Sequence, residues 1–379
     1  MKTEQRVWKE SKGWQSLTDN KLKDKAQLVF LFGSRERLNN KEHFAEVKGF
    51  YPNAHIAGCS TSGEIIGTEV QDDSLVVTAV FFEKGTMKFA HTKLSKMDES
   101  FKAGQELARS LEKEGLVHVL VLSDGLGVNG SELVKGLVSE LPNGVAATGG
   151  LAGDKANFKE TSVFLDGNPE KNIVVAIGFY GSGLKIGYGS QGGWTSFGLD
   201  RLVTKSKGNV LYELDGQPAL ELYKKFLGDQ SKGLPATGLL FPLSLRIKES
   251  KSYLVRTILA INEDGGMVFA GDIPEGAYVR LMKANFDRLV DGALGAANMS
   301  LESGGAKAPD LAILISCVGR KLVLKQKIEE EIEGVKNIFG EKTAITGFYS
   351  YGEICPAIAT EKRCELHNQT MTITTFSES

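Results

Sequence analysis

Gly58-Cys59-Ser60-Thr61-Ser62-Gly63-Glu64-Ile65 and Gly347-Phe348-Tyr349-Ser350-Tyr351-Gly352-Glu353-Ile354 stand near opposite ends of a 379-residue chain and share one pattern. Each is a glycine, four variable residues and Gly-Glu-Ile. Each follows an apolar strand carrying Ser and Arg at its end, LVFLFGSRERL from Leu28 and LAILISCVGRKL from Leu311. A helix with Val-Lys near its close comes between, at Val47-Lys48 and Val335-Lys336. Lys48 to Gly63 is 15 positions and Lys336 to Gly352 is 16, so the copies match within one insertion. A third echo is Ala-Gly-Asp, at Ala152–Asp154 and again at Ala270–Asp272. Self-similarity of this kind implies duplicated structural units. The expectation is two α/β lobes about a pseudo-twofold axis, with a cleft between them as the natural ligand site.

Around this repeat, continuous apolar runs bounded by turn residues read as strands buried on both faces, and amphipathic stretches read as short helices. The fold class is α/β to α+β: two pseudo-symmetric lobes, mixed sheets flanked by helices, in a layered αββα arrangement. Residues 1–27 read as an N-terminal extension, 28–205 as one lobe and 206–379 as the other. Ile173 to Phe179 and Leu184 to Gly189 read as a hairpin around Tyr180–Gly183. Ser131 reads as a helix N-cap, and Leu281 to Val290 as a helix.

Bulk composition excludes several classes. Apolar content of 41% and charged content of 24% are those of a globular chain. The net charge of −2, with both signs mixed throughout, offers no stripe for nucleic acid. The apolar runs are far shorter than the ~20 residues of a membrane span, and the polar start lacks a signal-peptide core. A cytosolic location is expected. Four cysteines, Cys59, Cys317, Cys355 and Cys364, fall in no metal or redox spacing and read as free thiols.

The Gly-Glu-Ile turns admit two readings. In one, glycines let the backbone approach a ligand, and Ser60, Thr61, Ser62, Glu64 and Glu353 offer hydroxyls and carboxylates. In the other, Gly63 and Gly352 only make tight turns and the glutamates cap backbone NH groups. Further candidates at strand ends are Cys59, Asp124, Gly149, Gly150, Asp154, Asp272 and Tyr351. Arg256 and Arg320 join them because guanidinium forks suit carboxylate ligands. Asp72-Asp73 and Glu329–Glu331 read as solvated faces.

Enzymatic readings are weaker. Gly125–Gly130 (GLGVNG) matches the dinucleotide fingerprint G-x-G-x-x-G, but with Ser131 as the cap the third glycine falls outside the helix. Cys59 has no nearby base to activate it as a nucleophile. The chain is therefore expected not to be an enzyme, with a nucleotide-dependent activity as the lesser alternative.

These motifs carry a resemblance. GCSTSGEI, GGLAGD, VTKSKGNVLYELDGQPALELY (from Val203), Val255-Arg256, FAGDIPEG, SCVGR and GFYSYGEICP together resemble the FIST family, named for F-box and intracellular signal transduction proteins, from about Leu28 to Pro356. The resemblance implies a sensor of amino acids or related small molecules. The two lobes fill the chain, so output would pass to a separate partner, a histidine kinase or a cyclic-di-GMP enzyme (diguanylate cyclase or phosphodiesterase). A subset of stand-alone relatives binds haem and responds to nitric oxide, which makes haem the sharpest cofactor expectation. Haem needs an axial donor. None of His43, His55, His91, His118 and His367 sits in a diagnostic motif, and Gln191 stands where many relatives carry histidine. A ligand-free interaction scaffold is the competing class.

Overall fold

The computed structural model describes residues 1–19, 21–246, 253–356 and 364–379. The first unit runs β1 (Lys2–Lys9), β2 (Gly13–Ser16), β3 (Leu28–Gly33), α1 (Arg35–Leu38), α2 (Lys41–Phe50), β4 (His55–Ser60), β5 (Glu64–Ile66), β6 (Glu69–Gln71) and β7 (Leu75–Phe81). The second runs β8 (Thr86–Lys93), α3 (Ser100–Ser110), β9 (Leu116–Ser123), α4 (Gly130–Glu140), β10 (Ala146–Leu151), β11 (Val163–Leu165) and β12 (Ile173–Tyr180). The third opens with β13 (Leu184–Gln191) and is then interrupted. The insertion holds β14 (Thr195–Lys207), β15 (Val210–Leu214), β16 (Gln217–Pro218), α5 (Ala219–Leu227), β17 (Leu243–Arg246), β18 (Leu254–Arg256), β19 (Ile258–Ile261), β20 (Met267–Phe269) and β21 (Tyr278–Lys283). The third unit resumes with α6 (Phe286–Gly304), β22 (Leu311–Cys317), α7 (Val318–Leu324), α8 (Ile328–Phe339), β23 (Ala344–Ser350), β24 (Gly352–Pro356), β25 (Cys364–His367) and β26 (Met371–Glu378).

The mixed α/β class stands, while the repeat extends from two copies to three. Each unit builds the same four-strand ladder: β4-β3-β7-β1, β10-β9-β12-β8 and β23-β22-β26-β13. In each the first pair is parallel and the rest antiparallel. Each unit then sends a strand onto a neighbour. From the first, β5 pairs with β23 of the third; from the third, β24 pairs with β10 of the second; from the second, β11 pairs with β4 of the first. The exchange closes a ring of three, so the topology is threefold and replaces the expected pseudo-twofold pairing.

Glycine at one position makes this ring possible. Gly58, Gly149 and Gly347 sit opposite Leu31, Val121 and Leu314 of the central strands. A Cβ there would stand 1.9, 2.0 and 1.8 Å from those residues' carbonyl oxygens. Only glycine allows that approach. The second copy escaped the sequence comparison because its turn, Gly149-Gly150-Leu151-Ala152-Gly153-Asp154, is shorter and lacks Gly-Glu-Ile.

The inner faces of the three sheets share one core that includes Phe30, Phe32, Leu120, Leu122, Ile313, Ile315 and Phe376. Phe32 meets Phe348 at 4.8 Å between ring centroids. The alternate residues face outward onto helices: Val29 and Leu31 toward Val47 of α2, Val119 and Val121 toward α3 and α4, Ala312 and Leu314 toward α6 and α8. Strands buried on both sides are therefore apolar throughout, as their sequences are. The layering is three sheets inside and helices outside, around one centre.

Several local expectations change. Residues 1–27 contribute β1 and β2 to the first sheet, and residue 206 falls inside β14. The hairpin is a crossover: β12 pairs with β8 and β9, whereas β13 pairs with β26 of another sheet. A tight turn between two apolar runs does not distinguish return to the same sheet from transfer to a facing one. Asn129, not Ser131, caps α4, through Oδ1 accepting from the Glu132 N–H, so Gly130 does open the helix. Leu281–Lys283 close β21, and the helix begins after Asn285, which caps it at Arg288 N. That helix runs to Gly304 on small residues because β13 lies close against it; a Cβ at Gly187 would stand 1.9 Å from Ser300 O. The inserted sheet has β18 and β19 at its two ends, yet only Thr257 separates them in the chain. The sheet must therefore curl on itself.

Candidate functional site

Parallel strands carry their chemistry at their carboxyl ends, where loops are held by a rigid sheet. Here the carboxyl ends of β3, β4, β9, β10, β22 and β23 lead into both Gly-Glu-Ile turns and into Ala152–Asp154, whereas Ala270–Asp272 follows β20 of the inserted sheet.

The repeated glutamates are internal braces. Glu64 is fully buried; Oε1 accepts from Thr61 Oγ1 at 2.5 Å, and Oε2 from Ser74 Oγ and N at 2.7 and 3.2 Å. Glu353 repeats the geometry, with Ser350 Oγ at 2.7 Å and Thr370 Oγ1 and N at 3.0 and 3.2 Å. Ser74 and Thr370 stand immediately before β7 and β26, so each carboxyl ties the exchanged strand of its unit to the returning one. Burial dominates and pushes the two carboxyls up to about 7 and about 8, against the pull of those hydrogen bonds. In the second unit Asp124 does the equivalent work from the end of β9, accepting from Leu126 N, Gly127 N and Asn172 N. The capping reading of the glutamates is the one their geometry supports.

The hydroxyl side of the first turn reaches a cavity. Ser62 joins all three units: its N–H donates to Tyr349 O at 2.8 Å, its Oγ to Lys155 O at 2.9 Å, and its carbonyl accepts from Lys321 Nζ at 2.9 Å. Around it lies a cavity of about 350 Å³ bordered by Ser62, Asp72, Asp73, Lys155, Ala156, Val318, Lys321 and Leu322. Lys321 pairs with Asp72 at 2.5 Å, and Lys155 with Asp73. The Asp73 bond raises the Lys155 amine above its ordinary value, so it stays charged. Both aspartates are more than half exposed, whereas the Lys321 side chain is 17% exposed. Gly63 permits this arrangement, since a Cβ there would stand 2.3 Å from Lys321 Nζ. Neither lysine was singled out in the sequence, and Asp72-Asp73, exposed as a solvated face is, also forms a paired rim. Only the nearness of three distant segments reveals it.

A second cavity of about 130 Å³ lies between the second unit and the inserted sheet, bordered by Gly125, Leu126, Val128, Asn129, Gly130, Leu151, Asn209, Ala270, Gly271 and Tyr351 among others. The glycines of its loop are spent on packing: Cβ atoms at Gly125 and Gly127 would stand 2.0 Å from Ala152 O and 1.9 Å from Asn172 Oδ1. Asp124 already occupies the Leu126 and Gly127 N–H groups a phosphate would need. The Tyr351 hydroxyl accepts from Phe158 N and donates to Lys155 O, and its ring stacks on Phe158 at 4.4 Å.

The remaining candidates are structural. Ser60 Oγ donates to Gly153 O and accepts from Ser162 N. Cys59 is fully buried in the shared core, and burial pushes its thiol far up. Gly150 packs on Ile315, and Asp154 pairs with Arg35 at 3.7 Å while accepting from Asn157 and Glu160 N. Arg256 is buried and donates to the carbonyls of Val255, Leu366 and Asp272. Burial lowers it to about 10. Asp272 accepts from Asn129 and Lys135. Arg320, expected to hold a ligand carboxylate, is wholly buried and spends its fork on Glu331 (2.6 Å) and on the carbonyls of Leu289 and Gly192. Glu331 thereby leaves the solvated group in which its run placed it.

Comparison with known sequences decides the family. The FIST N domain matches residues 27–217 and the FIST C domain matches residues 219–356. The chain belongs to the FIST family. The family is associated with sensing in signal transduction, and the division between the two matched regions falls within the inserted sheet. This FIST protein is 24% identical over 366 residues to an uncharacterized protein of Methanocaldococcus jannaschii, covering 89% of this chain and 67% of that one. A crystal structure of cyanuric acid hydrolase from A. caulinodans is 10% identical over 78% of this chain and 99% of that one. Its TM-score of 0.18 is too low to compare folds.

No described helix of the FIST protein is long and apolar enough to cross a membrane. Haem does not fit the two strand-end cavities: no histidine or cysteine borders either, and the Tyr351 hydroxyl is engaged on both sides. His118 and His367 are buried against Thr148 Oγ1 and Cys355 O, and burial lowers them to about 3 and about 4. His55 stands at the opposite, amino end of β4, with Nδ1 on Asp166 at 2.6 Å. The Gln191 segment packs on α6, where a Cβ at Gly295 would stand 2.0 Å from Gln191 Oε1.

Proposed function

We propose that this FIST protein is a receptor for a small zwitterion of the amino-acid class, bound without turnover in the Ser62 cavity, and that it regulates a separate output protein. The observation that carries this reading is the pair of ion pairs, Lys321–Asp72 and Lys155–Asp73, around a cavity where all three units meet. Its volume of about 350 Å³ lies within the ~300–1,000 Å³ of small-ligand sites. A ligand carboxylate takes the place of Asp72 on Lys321, and the released aspartate accepts the ligand ammonium. The ligand carboxylate replaces Asp72 on Lys321 like for like, and Asp72, 59% exposed, gives up little on release, so the exchange costs little. Val318, Leu322 and Ala156 offer the apolar wall for a side chain.

A ligand there touches strand-end segments of three units at once. Differential affinity for two packings of those units is what a receptor needs to shift a population. The family's association with signalling supports a histidine kinase or a cyclic-di-GMP enzyme as the recipient. Absence of turnover is supported by the buried thiols and by Asp124 filling the phosphate-type loop.

Calorimetric titration with a panel of amino acids tests this. We expect at least one to bind, with Lys321→Met and Asp72→Asn each weakening it about tenfold or more. Binding indifferent to both substitutions, or no binding by any member, refutes the site and favours the ligand-free scaffold.

A further inference from the structure

The Ser62 cavity presents its two ammonium groups from one support. Lys321 Nζ donates to Ser62 O at 2.9 Å. Lys155 is stitched to the same turn through its main chain. Its N–H donates to Thr61 O at 3.3 Å, and its carbonyl accepts from Ser62 Oγ at 2.9 Å and from the Tyr351 hydroxyl at 3.2 Å. Those bonds hold Lys155 at φ +52°, a left-handed conformation that is uncommon away from glycine and recurs at ligand clamps. The Ser62 turn thereby sets where one lysine from the second unit and one from the third enter the same cavity.

What spans the two lysines is a pair of carboxylates on consecutive residues. Asp72 takes Lys321 at 2.5 Å and Asp73 takes Lys155. Asp72 also acts on the Lys155 amine, so that cation feels both anions. In each pair the lysine is the more sheltered partner and the aspartate the more solvated one. Solvated carboxylates lose little on leaving such pairs, which makes the aspartates the replaceable half. Asp72-Asp73 is in effect one dicarboxylate laid across two ammonium groups.

We infer that the ligand of the Ser62 cavity is an acidic amino acid, its α-carboxylate on Lys321 and its side-chain carboxylate on Lys155, in place of Asp72 and Asp73. This assignment rests on the receptor reading of that cavity and narrows its ligand class. Each ligand charge then has a partner: two carboxylates on two lysines, and the ammonium on the released Asp72. The methylenes between them face the apolar wall of Val318 and Leu322. A neutral amino acid engages Lys321 alone and leaves the Lys155–Asp73 pair as it stands. It therefore forgoes one charge-assisted contact, the stronger kind of hydrogen bond. A site that places a polar partner for a ligand group discriminates against the analogue lacking that group.

Calorimetric titration of the full chain with glutamate, glutamine, aspartate and asparagine tests the assignment, since each amide matches its acid in size and differs in charge. At least one acid should bind about tenfold or more tightly than its own amide. Lys155→Met keeps the stem and removes the ammonium, and should bring that acid-to-amide ratio close to one. Asp73→Asn removes the internal competitor at an exposed position with φ +58°, which asparagine tolerates, and should raise the ratio. Circular dichroism checks that both variants fold, and the wild-type ratio stands without them. Acid and amide binding alike through Lys321, or a ratio untouched by Lys155→Met or not raised by Asp73→Asn, overturns this inference and leaves the receptor reading standing. Should no amino acid bind, both fall.

Discussion

Replacing Glu353 by glutamine should make the protein less sensitive to alkali. The carboxyl is buried, and burial raises it from 4.5 to about 8. An acid whose folded value is raised holds its proton in the native state after the unfolded chain has lost it. Its contribution is therefore fully present below about pH 4.5 and is lost as pH rises through about 8. Between pH 6 and 9 that loss comes to ~3 kcal/mol at 1.36 kcal/mol per pH unit, an upper figure for a site that can relax. Glutamine keeps the shape, with its oxygen accepting from Thr370 and its amide donating to Ser350 Oγ, and does not titrate. The substitution changes no other ionisable side chain, so the difference between the two proteins reports on Glu353. Melting temperature measured from pH 6 to 9 should fall several degrees further in wild type than in Glu353→Gln. Parallel curves would refute a protonated, bracing Glu353.

Glu64, raised by burial to about 7, should behave likewise with a smaller loss over the same range, seen as a shallower difference for Glu64→Gln. Alanine at Gly58, Gly149 or Gly347 forces a Cβ into a strand carbonyl and should cost several kcal/mol each, whereas Gly49→Ala in α2, with open space around it, should stabilise by ~0.5–1 kcal/mol; urea melts compare them. Glu331→Ala strands the Arg320 charge in the core and should cost ~3–5 kcal/mol by the same measurement. Cys59, Cys317 and Cys355, buried and pushed up by burial, should react with a thiol reagent only after denaturation, and fast labelling of the native protein contradicts this.

The repeat was readable because two units keep Gly-Glu-Ile, and that signal was sound as far as it went. Its meaning changed because the third copy moves the brace from the turn to Asp124, leaving only the shared glycine position as evidence. Residues that close the strand exchange cannot be read from one segment: β5 and β24 look like continuations of their own sheets, yet pair in others. The same holds for the cavity. Ser62 was visible in its motif, while Lys155, Lys321 and Asp72-Asp73 gain meaning only when α7 and two turns converge. Arginines misled in the opposite sense, since Arg256 and Arg320 look like ligand forks and spend their donors on internal carbonyls and, for Arg320, on Glu331.

Hydrogen exchange with mass-spectrometric readout, in the presence and absence of the amino acid that binds best, tests the central claim most directly. Three segments far apart in sequence should gain protection together: the Ser62 turn, the stretch around Lys155 and Ala156, and α7 around Lys321. Protection confined to one of them, or appearing only in the inserted sheet, would contradict a receptor site built where the three units meet.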